Sequence, residues 1–499
     1  MNFHYYFSFS ETAFTSSHRF GMIDTVEIQN EGLNLRNGSE AMSEKLSAGK
    51  SIDLTEGPVA SSIWLFALPL IAGNLLQQFY NVADTLIVGR FLGAGALAAV
   101  GFSYTVMSFL TSVILGLCMG SSVLFSMLCG AGDMDRMENS FVQSFVFIGL
   151  VTVAVEAAAL LFIDPMLSLL QIPENIMGDT KAYLQVIFIG LGFTFVYNYF
   201  ATLLRALGNS LVPLLFLAVS ALGNIVLDLV LILVFHMGTA GAAWATITAQ
   251  LLSAAGIGLY VYLKMPRLLP EKRHFYRDEK ILRTICRYSL LTCVQQSVMN
   301  FGILMVQGLI NSYGVTVMAA FAAAVKIDSF AYMPVQDFGN AFSTFIAQNH
   351  GAGRQDRIRK GLRAAVLSAA VFCLAVSSVI VLFADRLMTV FISPQETEII
   401  RIGTQYLHIE GACYVGIGCL FLLYGLYRGL GRAGVSVVLT VISLGTRVAL
   451  AYLLSPIPGI GLAGIWWAVP IGWFLADLTG FLYFWRVGRK ERKSVDNDL

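Results

Sequence analysis

Charged residues are scarce in this 499-residue chain. Asp, Glu, Lys and Arg make up 13% of it, about half of the roughly 25% that is usual in soluble domains. Hydrophobic residues make up 57%, and the mean hydropathy is +0.71. So little charge cannot cover the surface of a water-soluble protein of this size, and the composition therefore indicates an integral membrane protein.

The chain also lacks the signatures of metal sites, disulfide frameworks and common catalytic centres. Its seven cysteines lie in or beside apolar segments without metal-ligand spacing, which favours small core residues. No HExxH, GxSxG or P-loop sequence is present, so we expect neither an enzyme nor a bound cofactor. Residues 1–55 lack the basic start and apolar core of a signal peptide. We interpret them as a polar cytoplasmic extension.

Long apolar runs dominate the rest of the sequence. About twelve stretches reach the roughly 20 residues that a helix needs to cross a bilayer. Strands of a transmembrane barrel would instead alternate every second residue. We therefore predict an all-α polytopic membrane protein with twelve transmembrane segments. The segments begin near Ser61, Ala96, Ser140, Ala182, Leu211, Ala240, Ile285, Thr316, Leu362, Ile402, Ala433 and Gly461.

Basic residues between the segments predict the orientation in the membrane. Lys and Arg are concentrated between segments six and seven, after segment eight and in the C-terminal tail, whereas the alternate loops carry few. The positive-inside rule therefore places both termini in the cytoplasm, and we expect a bacterial cytoplasmic membrane protein. The alternative that these runs bind nucleic acid or acidic lipid is less favoured.

The predicted parts of the chain are an extension (1–55), an N-lobe (56–264), a loop (265–284), a C-lobe (285–486) and a tail (487–499).

The sequence contains an internal repeat. RALG at 205–208 recurs as RGLG at 428–431, which is 223 positions later, and CGAG at 129–132 recurs as HGAG at 350–353, which is 221 positions later. These matches predict two six-helix repeats. An even number of helices in each repeat relates the halves by a pseudo-twofold axis along the membrane normal. That architecture is typical of carriers that hold substrate between two halves and expose it alternately.

Acidic residues lie inside two of the apolar segments. Asn224 and Asp228 are four positions apart in segment five and share a helix face, and neither Asp84 nor Asp228 has a basic residue three or four positions away. A carboxylate at the centre of a membrane helix costs roughly 2.5 to 3.5 kcal/mol, so each acid needs a partner from another helix. The polar face of segment one consists of Gln77, Tyr80, Asn81 and Asp84.

The chemistry of these side chains leaves several partners open. Carboxylate, amide and hydroxyl oxygens suit a hard cation such as Na⁺, and two adjacent carboxyl groups can instead share a proton. A third interpretation places Asp84 near interfacial water and Asp228 against a hydroxyl group. The repeat aligns Asp84 with Met305, Asn224 with Arg447 and Asp228 with Ala451. The second half has therefore lost these groups, which favours a coupling site in the first half.

Seven stretches together resemble the multidrug and toxic compound extrusion (MATE) transporters of the MOP superfamily. The resemblance extends from Leu54 to Arg486 and includes LTEGP, FALPLIAGNLLQQFYNVADTLIVGRFLGAGALAAVG, CGAGD, LRALGNSLVP, GNIVLDLVLIL, GTAGAAWATITAQ and FIAQNHGAG. It implies twelve helices in two lobes that form a V. It also implies export of small organic, often cationic compounds in exchange for Na⁺ or H⁺.

The resemblance further implies a cation site in the first lobe, as in the DinF-like branch of the family. Residues of this chain that match that branch's site are Asp84, Asn198, Asn224, Asp228 and Thr246. Pro69 matches a proline at which the first helix bends in some members, and its missing N–H would weaken the helix there. Another branch uses acids on helices seven and ten. Here segment seven has no carboxylate and segment ten has only Glu410, so we do not expect that second site.

Other polar residues within the segments are predicted to have gating or structural roles. For Asp328, we expect partners on other helices rather than Lys326, which lies only two positions away. The residues assigned in this way are Gln77, Tyr80, Asn81, Lys326, Asp328 and Asp337. The leading hypothesis is an antiporter, expected to be a monomer in the lipid bilayer with no nucleic-acid partner. The alternative is a flippase for lipid-linked saccharides, whose anionic substrates would call for a cavity rich in Arg and Lys.

Overall fold

The computed structural model describes residues 51–169, 172–266 and 274–497. Within these ranges the chain forms helices joined by short turns. The predicted N-terminal extension up to residue 50 and the central part of the basic loop (267–273) lie outside the described residues. We number the membrane-spanning helices α1 to α12, in the order of the predicted segments.

The first half of the chain contains six spans. The fourth is broken into two helices at an angle of 44°, and the fifth ends in a π-helical turn, Val230–Val234. A short helix, Ile163–Leu169, follows the third span. The bounds are α1 Val59–Phe91, α2 Ala94–Ala131, α3 Met134–Leu161, α4a Glu174–Ile189, α4b Leu191–Ala206, α5 Leu211–Leu229 and α6 Gly238–Lys264.

The second half repeats this order. Its fourth span is also broken, at an angle of 52°. The bounds are α7 Glu279–Asn311, α8 Val315–Gly351, α9 Gln355–Phe391, α10a Thr397–Gly411, α10b Tyr414–Gly429, α11 Ala433–Leu454 and α12 Gly461–Asn497. Each of the twelve predicted segment starts lies within the corresponding helix. The all-α prediction of twelve membrane segments is confirmed, with each bent pair counted as one span.

The internal repeat is visible in the backbone geometry as well as in the sequence. Glycines with positive φ recur at the same offsets as the sequence motifs, because each marks an equivalent turn that other residues rarely adopt. These pairs are Gly93 with Gly314, Gly132 with Gly353, Gly208 with Gly431, and Gly238 with Gly461. The two halves are therefore structural repeats of one six-helix unit.

The two halves pack backbone to backbone where α2 of the first half crosses α7 of the second. A Cβ atom added to Gly120 would lie 2.4 Å from Ser289 Cα, and one added to Gly116 would lie 2.5 Å from Cys293 Cα. Small residues allow helix backbones to approach closely inside a membrane, where packing replaces the hydrophobic effect as the driving force. Glycine is therefore required at these two crossings.

α1 belongs to both halves in its packing. Its first turns, including Ile63 and Phe66, are buried in a cluster formed mainly by side chains of α8, α9, α10 and α12. Its later turns run past α5 of the first half. The helix is continuous from Val59 to Phe91 with Pro69 inside it. α1 therefore connects the core of the second half to the polar residues of the first.

Candidate functional site

Two carboxyl groups from different helices meet inside the first half. Asp84 of α1 and Asp228 of α5 lie within hydrogen-bonding reach of each other. Asp228 is fully buried, and the Oδ1 atom of each residue is buried without a hydrogen-bond donor in the described part of the chain. Within those same residues, neither acid forms an ion pair with Lys, Arg or His. The structure thus brings together the two acids that the sequence singled out.

Asn224 and Thr246 complete the surroundings of Asp228. In the amide orientation that satisfies both ends of the Asn224 side chain, its nitrogen donates to Asp228 Oδ2 at 3.2 Å and its oxygen accepts from the Thr246 backbone N–H at 3.2 Å. Both residues are buried. Because Asn224 precedes Asp228 by one helical turn, α5 presents its amide and carboxylate to the same space.

Two tyrosines line the acid pair. Tyr80 lies one turn before Asp84 on α1 and is close enough to interact electrostatically with both acids. Tyr183 of α4a is 4% exposed and lies near Thr246 and both acids. Sequence reasoning missed Tyr183, because one tyrosine in an apolar segment resembles ordinary membrane packing. Its recurrence as Tyr406, 223 positions later, was the available signal.

Asn198 lies on a separate polar path. Its Nδ2 donates to the carbonyl of Thr194, one turn earlier on α4b, at 2.8 Å. Thr194 Oγ1 donates in turn to Gln250 Oε1 at 2.7 Å, and Gln250 is one turn beyond Thr246 on α6. Within the described residues, Asn198 forms no hydrogen bond with either acid of the pair. Its predicted role as a cation ligand therefore stays a prediction.

Three more of the predicted residues lie on α1 without a hydrogen bond to the acid pair in the described part of the chain, namely Gln77, Asn81 and Pro69. The Gln77 side chain is exposed, and the Asn81 carbonyl accepts from Thr85 Oγ1 at 2.7 Å. Pro69 removes the N–H that would bond the carbonyl one turn earlier, although α1 continues through it. Gating by these residues and bending at Pro69 stay predictions.

The oxygen atoms around Asp84 and Asp228 suit a small cation. The carboxylate and nearby hydroxyl oxygens are the hard ligands that Na⁺ prefers, whereas the Asn224 amide oxygen is bonded to the Thr246 N–H in this arrangement. The adjacent carboxyl oxygens are also placed to share a proton. Both acids retain an oxygen without a donor, which either cation would neutralise. The π-helical turn immediately after Asp228 is a feature that is frequent at functional sites.

A second group of buried acids lies in the second half. Asp328 of α8 accepts from the hydroxyl of Tyr414 at 2.7 Å, and Tyr406 donates to Glu410 Oε2 at 2.9 Å. The same Tyr406 hydroxyl lies 3.5 Å from Asp328 Oδ2. Lys326 is exposed on the other side of α8. The contacts of Asp328 therefore come from α10, and sequence reasoning had not placed Glu410 beside it.

Asp337 links the two halves. Its Oδ1 accepts a short hydrogen bond from Asn74 Nδ2 of α1, and its Oδ2 is buried without a donor among the described residues. Arg205, at the end of α4b, interacts with it electrostatically. Asp337 thus joins α8 to α1 of the first half, and its predicted gating or structural role stays a prediction.

These features define a class of protein: a polytopic helical carrier with two structural repeats and a polar pair buried in the first. Comparison with known families makes the assignment specific. The MatE family model matches residues 69–230 and again residues 290–453, which is one match in each half. The chain belongs to the MatE family of transporters, and the predicted resemblance is confirmed.

Relatives and solved structures agree with this assignment. The chain is 32% identical over 446 residues to the probable multidrug resistance protein YpnP of Bacillus subtilis, covering 88% of this chain and 98% of that protein. It is 21% identical to the multidrug export protein MepA of Staphylococcus aureus, covering 88% and 96%. A MOP-superfamily transporter from Pyrococcus furiosus superposes with a TM-score of 0.83 at 24% identity, covering 90% and 99%. That structural similarity shows the fold.

Proposed function

We propose that this protein is a secondary antiporter that exports small organic compounds in exchange for Na⁺ or H⁺ bound at Asp84 and Asp228. The observation that carries the proposal is the meeting of two carboxyl groups inside membrane-spanning helices without a basic partner in the described residues. A permanent structural role would leave their mutual repulsion and desolvation uncompensated. A visiting cation compensates both. Similarity to YpnP, a probable multidrug resistance protein, and to MepA, a multidrug export protein, supports drug export.

The packing of α1 provides a route from the cation to the rest of the molecule. Ile63 and Phe66 anchor its beginning in the second half, and Asn74 bonds to Asp337 of α8. Two to three turns later, Asp84 meets Asp228 of the first half. Cation binding at the acid pair therefore acts on a helix that both halves hold. Coupling requires the cation to bind one arrangement of the halves more tightly than the other.

The remaining features of the proposal follow from the sequence expectations. Both termini lie in the cytoplasm, the protein is a monomer in a bacterial cell membrane, and the substrates are organic cations or neutral lipophilic compounds. Flexible apolar walls of Phe and Met suit varied substrates of this kind.

The test is transport by the purified full-length protein in proteoliposomes. Efflux of a panel of fluorescent organic cations is measured with an imposed Na⁺ gradient, an imposed pH gradient or neither. We expect one gradient to drive efflux by the parent protein, and Asp84→Asn and Asp228→Asn to lose this gradient-driven component. Asp477→Asn is the matched control, because Asp477 is also a buried acid with an unpaired oxygen but lies on α12. It should retain gradient-driven efflux.

Thermal stability identifies the cation without transport. A cation that binds the folded protein at 100 times its Kd stabilises it by about 2.7 kcal/mol. If Na⁺ is the coupling ion, it should raise the Tm of the parent and of Asp477→Asn but not that of Asp228→Asn, whereas K⁺ should raise none of them. Efflux by Asp228→Asn at the parental gradient-driven rate would contradict the assigned site, and parental efflux insensitive to both gradients would contradict antiport itself.

A further inference from the structure

The segment before α1 is bound by the opposite half of the molecule. Arg357, near the start of α9, donates from Nη1 to the carbonyl of Gly57 at 2.7 Å. Its Nη2 donates to the carbonyls of Glu56 at 2.8 Å and Leu54 at 3.1 Å. The planar guanidinium group thereby satisfies three carbonyl groups of a non-helical segment, which a lysine could not do with the same geometry.

Asn349 reinforces this contact. Its Nδ2 donates to the carbonyl of Leu54 at 3.0 Å, and its Oδ1 accepts from Arg357 Nε at 3.1 Å. Leu54 is fully buried in the core cluster formed mainly by second-half residues. On the other side of the segment, the Ile52 N–H donates to the carbonyl of Gly208 at the end of α4b, at 2.9 Å. Residues 52–57, which we call the first strap, therefore connect the first half to the second.

A second strap has the equivalent place before α7. The carbonyls of His274 and Tyr276 accept from Asn139 Nδ2 of α3 at 2.8 and 2.9 Å, and the buried His274 ring lies 2.8 Å from Glu138. Residues 274–278 thus lead into the second half while being bound by the first. Each half is held at its entry by the third helix of the other half, so each strap connects the two halves next to the start of α1 or α7.

Between the straps, the ends of α2 and α8 are in backbone contact. A Cβ atom added to Gly130 would lie 1.9 Å from the carbonyl oxygen of Gln348, and one added to Gly351 would lie 1.9 Å from that of Met127. Both partners and both glycines are separated by the repeat offset of 221. The two contacts are therefore one contact repeated by the pseudo-twofold axis, and they close this face of the molecule.

From this arrangement we propose that Arg357 is a positioning residue for transport: with Asn349 it clamps the first strap across both halves, and the clamp must release before this face can open. This inference rests on the proposed alternating exposure of substrate. It assigns a role to LTEGP and to the HGAG segment with its following arginine, which the cation site does not use. Its prediction concerns the population of an open arrangement, and that population is measurable without a cation gradient.

The repeat supplies a matched control. Arg136 occupies the position equivalent to Arg357 in the first half, 221 residues earlier. Its side chain is 69% exposed, and its described ion pair is with Asp133, three residues away, at 3.5 Å. Arg136→Ala therefore removes the same chemical group from the equivalent helix start without touching a strap.

The experiment measures the distance between two spin labels on the full-length protein in lipid nanodiscs. The labels are attached to Met134→Cys and Gln355→Cys after replacement of the native cysteines, because these equivalent positions are exposed at the starts of α3 and α9. We expect Arg357→Ala to increase the ratio of long to short distances by about tenfold or more, since several hydrogen bonds to a charged group are lost. Arg136→Ala should leave the ratio at the parental value.

Further variants keep the proposal open to refutation. Arg357→Lys retains the charge without the planar geometry and should give an intermediate ratio, and this variant decides the question if Arg357→Ala does not fold. Parental label distances in the folded variant, whether Arg357→Ala or Arg357→Lys, would overturn the proposal. A shift in Arg136→Ala as large as that in the Arg357 variant would also overturn it. The same measurement separates the clamp from antiport. If efflux proves independent of both gradients but Arg357→Lys still shifts the distances, the clamp is retained while antiport fails. Asp228→Asn carries the same labels for comparison.

Discussion

Replacing Gly130 by alanine tests the closed face directly. The new Cβ would lie 1.9 Å from the Gln348 carbonyl oxygen, 2.7 Å from its carbon and 2.8 Å from Cα. Ordinary contact begins at 3.4 Å, so α2 and α8 must separate by about 1.5 Å, and backbone atoms cannot move aside as a side-chain tip can. Overpacking of this kind costs about 1 to 3 kcal/mol.

That cost applies only to the arrangement in which α2 and α8 touch. The ratio of open to closed molecules should therefore rise by about 5- to 150-fold, the change that 1 to 3 kcal/mol produces in an equilibrium. The assay is again the distance between labels at positions 134 and 355, measured without a gradient. Gly351→Ala, the pseudo-symmetric change, should have the same effect, because its Cβ would lie 1.9 Å from the Met127 carbonyl oxygen.

Gly101→Ala on α2 is the control for glycine replacement as such. A Cβ atom at Gly101 would meet no atom within 4 Å, and alanine favours a helix over glycine by roughly 0.5 to 1 kcal/mol. This variant should be at least as stable as the parent, with unchanged label distances. If Gly130→Ala also gives parental distances and an unchanged Tm, the backbone contact that we describe between α2 and α8 is wrong.

Two tyrosine replacements provide further tests. Tyr183→Phe removes the hydroxyl group beside Thr246, and we expect cation affinity to fall by about 2- to 13-fold, the range for one net hydrogen bond of about 0.5 to 1.5 kcal/mol. Cation-dependent shifts in Tm measure this affinity. Full parental affinity would remove Tyr183 from the site. Tyr406→Phe takes the donor from Glu410 and should lower stability by about 1 to 3 kcal/mol. Tyr452→Phe, at a 48% exposed position, should leave the Tm unchanged, and equal Tm values for the two variants would contradict the assigned contact.

The spans were predictable because the bilayer imposes one strong requirement on sequence. A helix that crosses it needs about 20 apolar residues, and all twelve predicted starts lie in the observed helices. The bends within α4 and α10 were not predicted. Each bent pair taken together is long and apolar enough to be one span, so a scan for apolar runs reads across both breaks. The bend matters to the site, because α4a carries Tyr183 and α4b carries Asn198.

The acids of the site were predictable for a related reason. A carboxylate in a membrane segment is costly, so Asp84 and Asp228 stand out, and the repeat showed that the second half had dispensed with them. The contact between the first strap and α9 was not predictable. LTEGP was noted as a motif, but its partner Arg357 lies about 300 residues away, and local pattern rules describe neighbours three or four positions apart.

The two halves share their turns and one tyrosine but differ in the helices that carry their buried acids. Tyr183 and Tyr406 occupy equivalent positions 223 residues apart, and each lies near a pair of acids. In the first half these acids come from α1 and α5, whereas in the second half they come from α8 and α10a. Arg447 stands at the position of Asn224 and acts electrostatically on both second-half acids. The turns and the tyrosine are present in both halves, while the acids occupy different helices. In the described residues, the first-half acid pair has no basic partner, whereas the second-half acids lie near the Arg447 guanidinium. Under the proposed antiport, that difference in charge would let a cation act on the first half and not on its repeat.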